Sequence, residues 1–392
     1  MNISKFLFSG LFVVGSAFAQ LPWENSSSSA EETTTPPPSY EATSNSSSSA
    51  IAPQAETIFD QVRGLAYNPY GTVGAASNVA DLATTPSDIY GKKFAYLSPS
   101  DFVGFTAFNL GGGSALLGLG NNYYLSELTL GYATGAFGLA VKLSIAKAWI
   151  SDDNFDVSER RTGAGDNVDL YFSIPISIGT LYARGGWLTN QNSYSSDRNG
   201  DEYGEDYSSI EAQVGLTGKL SSLNYDAYLG FLRTGGTLID DGDKAVDENT
   251  YTAFSLNFNI GYQALANERA RVLVGLNTSA LGMFYDEVEN IGDSDSQLSL
   301  TLSPNILAEV ALFDNLLAFG GATHSLVLFG GDLDRNDDTS LFGIVQSPTT
   351  QAFAGLRWQK DNWALEAQVA ANPFEAFNGN NIFANFGGFI YF

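Results

Sequence analysis

The sequence predicts an all-β chain: a transmembrane, antiparallel up-and-down β-barrel of about 14 strands behind a disordered N-terminal tether. Three observations point there. Apolar residues recur at every second place from Asp101 onward, as in Phe137-Leu139-Val141-Leu143-Ile145 and Phe254-Leu256-Phe258-Ile260-Tyr262. That is a strand period, not a helix period. Short and long connections alternate along the chain. Finally, the last residues keep the alternation to the very end, through Ile382, Ala384, Phe386, Gly388, Ile390 and Phe392.

Composition narrows the function classes. The 392 residues carry 43 acidic and 18 basic side chains, for a formal charge of −25, with one His and no Cys. Nucleic acid is excluded as a partner, because phosphate backbones are bound by clustered Lys and Arg. The absence of Cys removes disulfides, thiol catalysis and Cys-based metal centres. The 41 glycines and 13% aromatic content suit many strands flanked by aromatic belts.

Taken in order, residues 1–19 read as a signal peptide. Lys5 is the positive start, Phe6 to Val14 the apolar core, and Ala17-Phe18-Ala19 the small-x-small cleavage site. The apolar run is too short to span a bilayer. Residues 20–57 form a Ser/Thr/Pro-rich linker, with S-S-S-S-A at Ser26 and again at Ser46 and Pro36-Pro37-Pro38 between them. Such a segment cannot bury enough apolar surface to offset its ordering entropy and is expected to be disordered. Residues 58–100 are expected to be a plug or periplasmic segment, small and mildly apolar over Gly71–Asp81 and broken by Pro69, Pro86 and Pro99. Residues 101–392 form the barrel. Phe102–Ser126 is uncharged, yet its glycines weigh against a helix. It reads as strand, glycine-rich turn and the approach to a second strand. A closed barrel is then the remaining way to span a membrane.

Connection lengths separate a membrane barrel from a soluble sandwich. Short connections fall near Thr134-Gly135, Ile178-Gly179, Ser221-Ser222, Ala264 to Glu268, Phe313 to Asn315 and Gln359 to Asn362. Long ones fall near Gly111 to Asn121, Ser151 to Asn167, Gln191 to Asp206, Thr234 to Thr250, Asp286 to Asp295, Gly331 to Gln346 and Pro373 to Asn380. Barrels with tight turns on one rim and loops on the other show this asymmetry, and it fixes the count of about 14. The second to fifth long loops carry five acids each. Most of the charge therefore sits on one rim, where it stays hydrated; a Lys or Arg facing lipid at the bilayer centre would cost about 2–4 kcal/mol.

Parity along the strands turns Lys142, Asp169, Arg184, Glu211, Asp226, Arg357 and Glu366 toward the lumen. If Trp358 pairs with Trp363 across the turn Gln359–Asn362, Arg357 lies opposite Ala364 and diagonal to Glu366. That pair either braces the wall or presents a charge to an open path and tunes ion selectivity. Two loops space oxygen ligands at alternate residues, Asp197-x-Asn199-x-Asp201 and Asp332-x-Asp334-x-Asn336, a pattern that would suit Ca²⁺. Both lack Gly at the sixth and Glu at the twelfth place, so solvated loop charge is the competing reading. No other cofactor is indicated. His324, the sole His, adjoins Ser325 with no hydrolase motif around it, so the chain is not expected to be an enzyme.

The last strand resembles the C-terminal recognition strand of outer-membrane β-barrels: a polar residue, Gly two on, then apolar residues three and five further. Asn385, Gly387, Ile390 and Phe392 fill those places. The resemblance implies that the barrel-assembly machinery reads this strand and that it closes the barrel against the first strand. It also implies the outer membrane, with lipid and lipopolysaccharide as neighbours, a periplasmic N-terminus and extracellular acidic loops. Divalent cations would bridge those loops to lipopolysaccharide. Strand number and the small-residue N-terminal segment are similar in architecture to the long-chain fatty-acid transporter family, whose N-terminal residues plug the barrel. No motif carries that likeness and no residue is transferred by it. The expected function is a porin-like or substrate-specific channel for small solutes. The alternative is a structural or adhesive surface protein with a sealed lumen.

Overall fold

The computed structural model describes residues 58–121, 125–146, 150–151, 160–195, 202–240, 243–248, 250–285, 297–332, 350–371 and 382–392. The expected signal peptide and linker lie outside them. The wall is one antiparallel sheet of sixteen staves. They are β1 Phe94–Ser98, β2 Val103–Leu110, β3 Gly113–Asn121, β4 Leu125–Ala133, β5 Gly138–Ala146, β6 Arg160–Ile176, β7 Gly179–Ser195 and β8 Glu202–Leu220. There follow β9 Leu223–Asp240, β10 Tyr251–Ala266, β11 Ala270–Tyr285, β12 Gln297–Phe313, β13 in two pieces (Leu316–His324 and Leu326–Asp332), β14 Thr350–Lys360, β15 Trp363–Ala371 and β16 Ile382–Tyr391. Short pieces at Ile150–Ser151 and Asp243–Glu248 pair with the upper ends of β6 and β9.

The sheet closes on itself. β16 pairs with β15 on one side and with β1 on the other, in register from Phe94↔Tyr391 to Leu97↔Gly388. Closure gives every strand a partner on both sides, which is the condition for a sheet to sit in lipid.

The strand number corrects the expected 14 to 16, and both additions have a physical cause. β1 is only five residues long and falls inside the range read as an N-terminal segment. The stretch Gly111–Asn121 is not a long connection: Gly111 and Gly112, at φ +56° and +84°, make a two-residue turn that side chains would resist, and β3 follows at once. A strand of five residues and one interrupted by glycines both look like loops when only hydropathy alternation is read. β13 is interrupted where its register sets His324 against β12 residue Pro304, which brings no N–H to the ladder.

The wall is apolar outside and polar inside. Leu139, Leu170, Leu229, Phe254, Leu256, Phe258, Leu365 and Val369 are exposed, whereas Asp169, Asn257, Asn305, Glu309 and Gln368 are buried. This reverses the soluble-protein rule and matches a wall solvated by lipid. Among the described residues no helix is long and apolar enough to cross a membrane. Two-residue turns at Gly111-Gly112, Ser221-Ser222 and Asp361-Asn362 lie on one rim, where the strand directions also place the C-terminus.

Candidate functional site

Residues 58–93 do not form part of the wall; they lie against its inner face. The sequence explains their shape. Asn78 accepts the N–H groups of Ala80 and Asp81 on its side-chain oxygen, while Asp81 accepts the Asn78 N–H. This reciprocal cap starts the single helical turn α1, Asp81–Thr84. Pro86 then opens a 3₁₀ turn, Pro86–Ile89, its fixed φ suited to a first helical position.

Two feet hold the segment. The apolar foot is Val79, Leu82 and Ile89, packed with Phe94, Leu116, Ala133, Ala140 and Tyr171 on the wall from β1 to β6. There the N–H of Ser87 donates to Ser173 at 2.7 Å and that of Gly91 to Ser114 at 2.9 Å. The polar foot is residues 58–70, against β11 to β16. Tyr67 packs among Leu273, Leu307, Phe319 and Phe353. Burial holds its phenol far above the usual range, so it stays a donor, and it donates to Glu309 at 2.9 Å. Between the feet, Asn277 donates to the Tyr70 carbonyl at 3.0 Å. Gly261 lets the Val73 carbonyl approach the wall so closely that any Cβ there would overlap it, and Gly138 does the same for the Pro86–Ser87 peptide.

Charges anchor the polar foot. Arg63 donates to Glu309 at 2.9 Å and lies 3.6 Å from Glu366, fully buried. Glu309 also accepts from Arg271 at 2.6 Å, and Arg271 reaches the Phe59 carbonyl at 2.7 Å. Glu366 accepts the Gly64 N–H at 2.7 Å and pairs with Arg357. Arg357 in turn donates to Gln61 at 2.9 Å and to Tyr391. An open cleft beside Ile58 and Gln61, bordered by Asp314 and Asp361, marks where the segment meets the turn rim.

The expected lumen residues divide between two arcs. On β6 to β10, Arg184 lies 3.0 Å from Asp169 and also pairs with Glu211, while Asp226 accepts from Tyr182 at 2.8 Å and from Asn259 at 3.2 Å. Lys142 and Glu127 form a partly exposed pair at 3.1 Å. On the other arc, Arg357 stands directly opposite Glu366, not opposite Ala364, because the turn is two residues, Asp361-Asn362, rather than four. Trp358 and Trp363 are therefore diagonal, their rings edge to face at 4.8 Å. Arg357 is wholly buried against the segment, so it does not face an open path.

Arg63, Tyr67, Arg271 and Glu309 were not singled out from sequence. A signal existed for Arg63: it is the sole basic residue between Gln20 and Gly91. Gly387 is buried against the Tyr96 ring, and Ile390 and Phe392 are exposed on the outer face. Asp197, Asn199, Asp201, Asp334 and Asn336 lie outside the described residues, and Asp332 ends β13. Among the described residues no group of three or more His, Asp or Glu could hold a metal. His324 Nδ1 lies 3.5 Å from the Thr350 hydroxyl, and Ser325 hydrogen-bonds Ser303.

An apolar-jacketed, closed antiparallel barrel with a polar interior defines a transmembrane β-barrel. No protein-family model matches the chain, and no curated protein does. Among solved structures it is similar to BauA, the ferric preacinetobactin receptor from Acinetobacter baumannii, at TM-score 0.42 and 11% identity over 74% of this chain and 56% of that one. It is also similar to the toluene transporter TodX of Pseudomonas putida, at TM-score 0.39 and 10% identity over 81% and 94%. The toluene transporter TbuX of Ralstonia pickettii aligns at TM-score 0.38 and 11% identity over 79% and 92%. The chain thus spans little more than half the length of BauA.

Proposed function

We propose that the protein is an outer-membrane channel for small solutes whose lumen is stoppered from within by residues 58–91. The observation that carries this reading is the polar docking of that segment. Arg63, Gly64, Tyr70 and Ser87 each use a hydrogen-bonding group to meet an inward side chain of the wall. The outer apolar belt would sit in lipid, with lipopolysaccharide around the loop rim and the acidic connections extracellular. The N-terminus would then be periplasmic, and the terminal strand with Asn385, Gly387, Ile390 and Phe392 would be the part read by the assembly machinery. Ca²⁺ at the acidic loops belongs to the same proposal, as a bridge to lipopolysaccharide.

The same occupied interior also fits a sealed structural or adhesive protein, so conductance decides. In planar bilayers the full chain should show rare, brief openings, and a chain lacking residues 58–91 should conduct steadily. A shortened, folded barrel that carries no current would leave the sealed reading.

A further inference from the structure

Charges around the polar foot differ in what they leave behind when it moves. Glu309 is shared between Arg63 of the segment and Arg271 of the wall. Glu366 is shared likewise between Arg63 and Arg357. Without Arg63, each wall carboxylate therefore keeps a wall arginine, and the two pairs are neutral. With Arg63 docked, three guanidinium groups face two carboxylates. Arg63 is fully buried there, and among the described residues its Nε and Nη1 make no hydrogen bond. A further acid, Asp60, contacts Arg271 at 3.4 Å, is more than half exposed and belongs to the same foot as Arg63.

The physical balance follows. Burying an ion in a shared, incompletely bonded site adds little net stability, because desolvation offsets the attraction. Leaving a buried wall charge with no partner would be far more costly. The wall avoids that cost whether Arg63 is in or out. The apolar foot has no such arrangement: it packs through Val79, Leu82 and Ile89 and runs directly into β1. It meets the polar foot through Val62 and through two backbone hydrogen bonds of 3.0 Å, from the Arg63 N–H to the Ser77 carbonyl and from the Val79 N–H to the Arg63 carbonyl.

We infer that residues 58–70 are the moving part of the stopper, with Arg63 as its release element. Glu309 and Glu366 position Arg63 when the foot is docked. Arg271 and Arg357 keep both carboxylates paired when the foot parts its two backbone hydrogen bonds to Ser77 and Val79 and swings out toward the turn rim, while the apolar foot stays in place. The inference rests on the stoppered-channel reading above.

The test compares three full-length variants, each confirmed as a folded barrel by heat-modifiable mobility, for conductance in planar bilayers under KCl. Arg63→Met leaves the wall pairs intact and the foot apolar, and should open no more often than wild type. Glu309→Gln sets Arg63 against Arg271 with no anion between them, and should open about tenfold more often. Arg63→Met/Glu309→Gln removes the repulsion and should return to the wild-type level, a rescue that a merely structural role of Glu309 would not give. Glu366→Gln, with and without Arg63→Met, repeats the logic at the second carboxylate. Maleimide labelling of Val62→Cys, nearly inaccessible at 3% exposure, should follow the same order. A Glu309→Gln barrel as closed as wild type overturns the inference. So does a double variant as open as Glu309→Gln, or an Arg63→Met barrel that opens as readily as Glu309→Gln. Failure of the channel reading itself is distinct. In that case neither the chain lacking residues 58–91 nor the full chain in urea below the barrel's unfolding carries current.

Discussion

Arg357 on β14 and Glu366 on β15 face each other across the β14–β15 hairpin, and the carboxylate that pairs with the guanidinium also accepts the Gly64 N–H at 2.7 Å. One side chain thus fastens the wall to the segment inside it. Glu366→Ala would leave Arg357, fully buried, without its anion and Gly64 without its acceptor. We expect a loss of about 3–5 kcal/mol, the usual consequence of removing one member of a buried pair. Glu366→Gln retains an acceptor oxygen and should lose less. Urea unfolding followed by Trp358 and Trp363 fluorescence checks the order; coincident midpoints for all three proteins would make the pair dispensable.

Gly261 gives a second handle on the segment from the wall side. A Cβ there would overlap the Val73 carbonyl oxygen, a backbone atom that cannot rotate aside. Gly261→Ala should therefore push the middle of the segment off the wall at about 1–3 kcal/mol, as overpacking does. The strand pairing of β10 should survive, since Gly261 keeps an extended backbone there. Unchanged β-sheet circular dichroism with raised conductance is the expected pair of results; unchanged conductance would place Val73 elsewhere.

The barrel was legible in the sequence because lipid enforces strict alternation on large side chains such as Phe254, Leu256 and Phe258. What stayed hidden lacked that enforcement. β3 reads Gly-Ser-Ala-Leu-Leu-Gly-Leu-Gly-Asn, and its three glycines mask the alternation of the outward Leu117 and Leu119. β1 is too short to show a period. Parity sufficed to turn Arg357 and Glu366 inward, but register depends on turn length, and the left-handed Asp361 at φ +52° shortened the turn. The partners of Arg63 were out of reach, because Glu309 is 246 residues away and only closure of the barrel brings the two together.

Closure also frames the role of the C-terminus. β16 is the strand that meets β1, and Phe392 extends it onto the exposed outer face at the turn rim. Deleting Phe392 should lower the yield of heat-modifiable barrel in the outer membrane and leave periplasmic aggregates, through recognition and not through packing. Refolding of the purified variant into detergent should be nearly normal. Equal loss in cells and in detergent would make Phe392 a packing residue.

Orientation follows from labelling. Cys introduced at Gly242 or Ser294, in acidic connections, should react with an impermeant maleimide on intact cells, and Cys at Ser222, on the turn rim, should react only after the outer membrane is opened. The reverse pattern would invert the barrel.

Docking of the apolar foot, a step separate from release of the polar foot, should depend on pH through Asp81. Its side chain is exposed, yet its helical turn is set against β4, β5 and β6, and that neighbouring wall lowers the hydration of its charge. This desolvation, with a smaller contribution from the charge of Asp88, pushes its pKa up to about 6, against the opposing hydrogen bonds from Asn78. The sign is fixed by linkage: a carboxyl whose pKa is higher docked than free binds a proton on docking. At neutral pH both states are ionised and the docked state carries the whole penalty. As the pH falls through about 6 the docked form takes up its proton, so docking begins to tighten there and goes on tightening until the free carboxyl, at 3.8, is protonated as well. Burial raises Asp88 in the same direction. Maleimide reaction of Val79→Cys, fully buried in the docked segment, reports this when its rate is taken relative to the unfolded chain at each pH. The relative rate should fall on acidification. Asp81→Asn should flatten most of the slope and hold the neutral-pH rate near the acidic one, with Asp88→Asn removing the remainder. A slope that persists in the Asp81→Asn/Asp88→Asn double variant would assign the pH dependence to the wall instead.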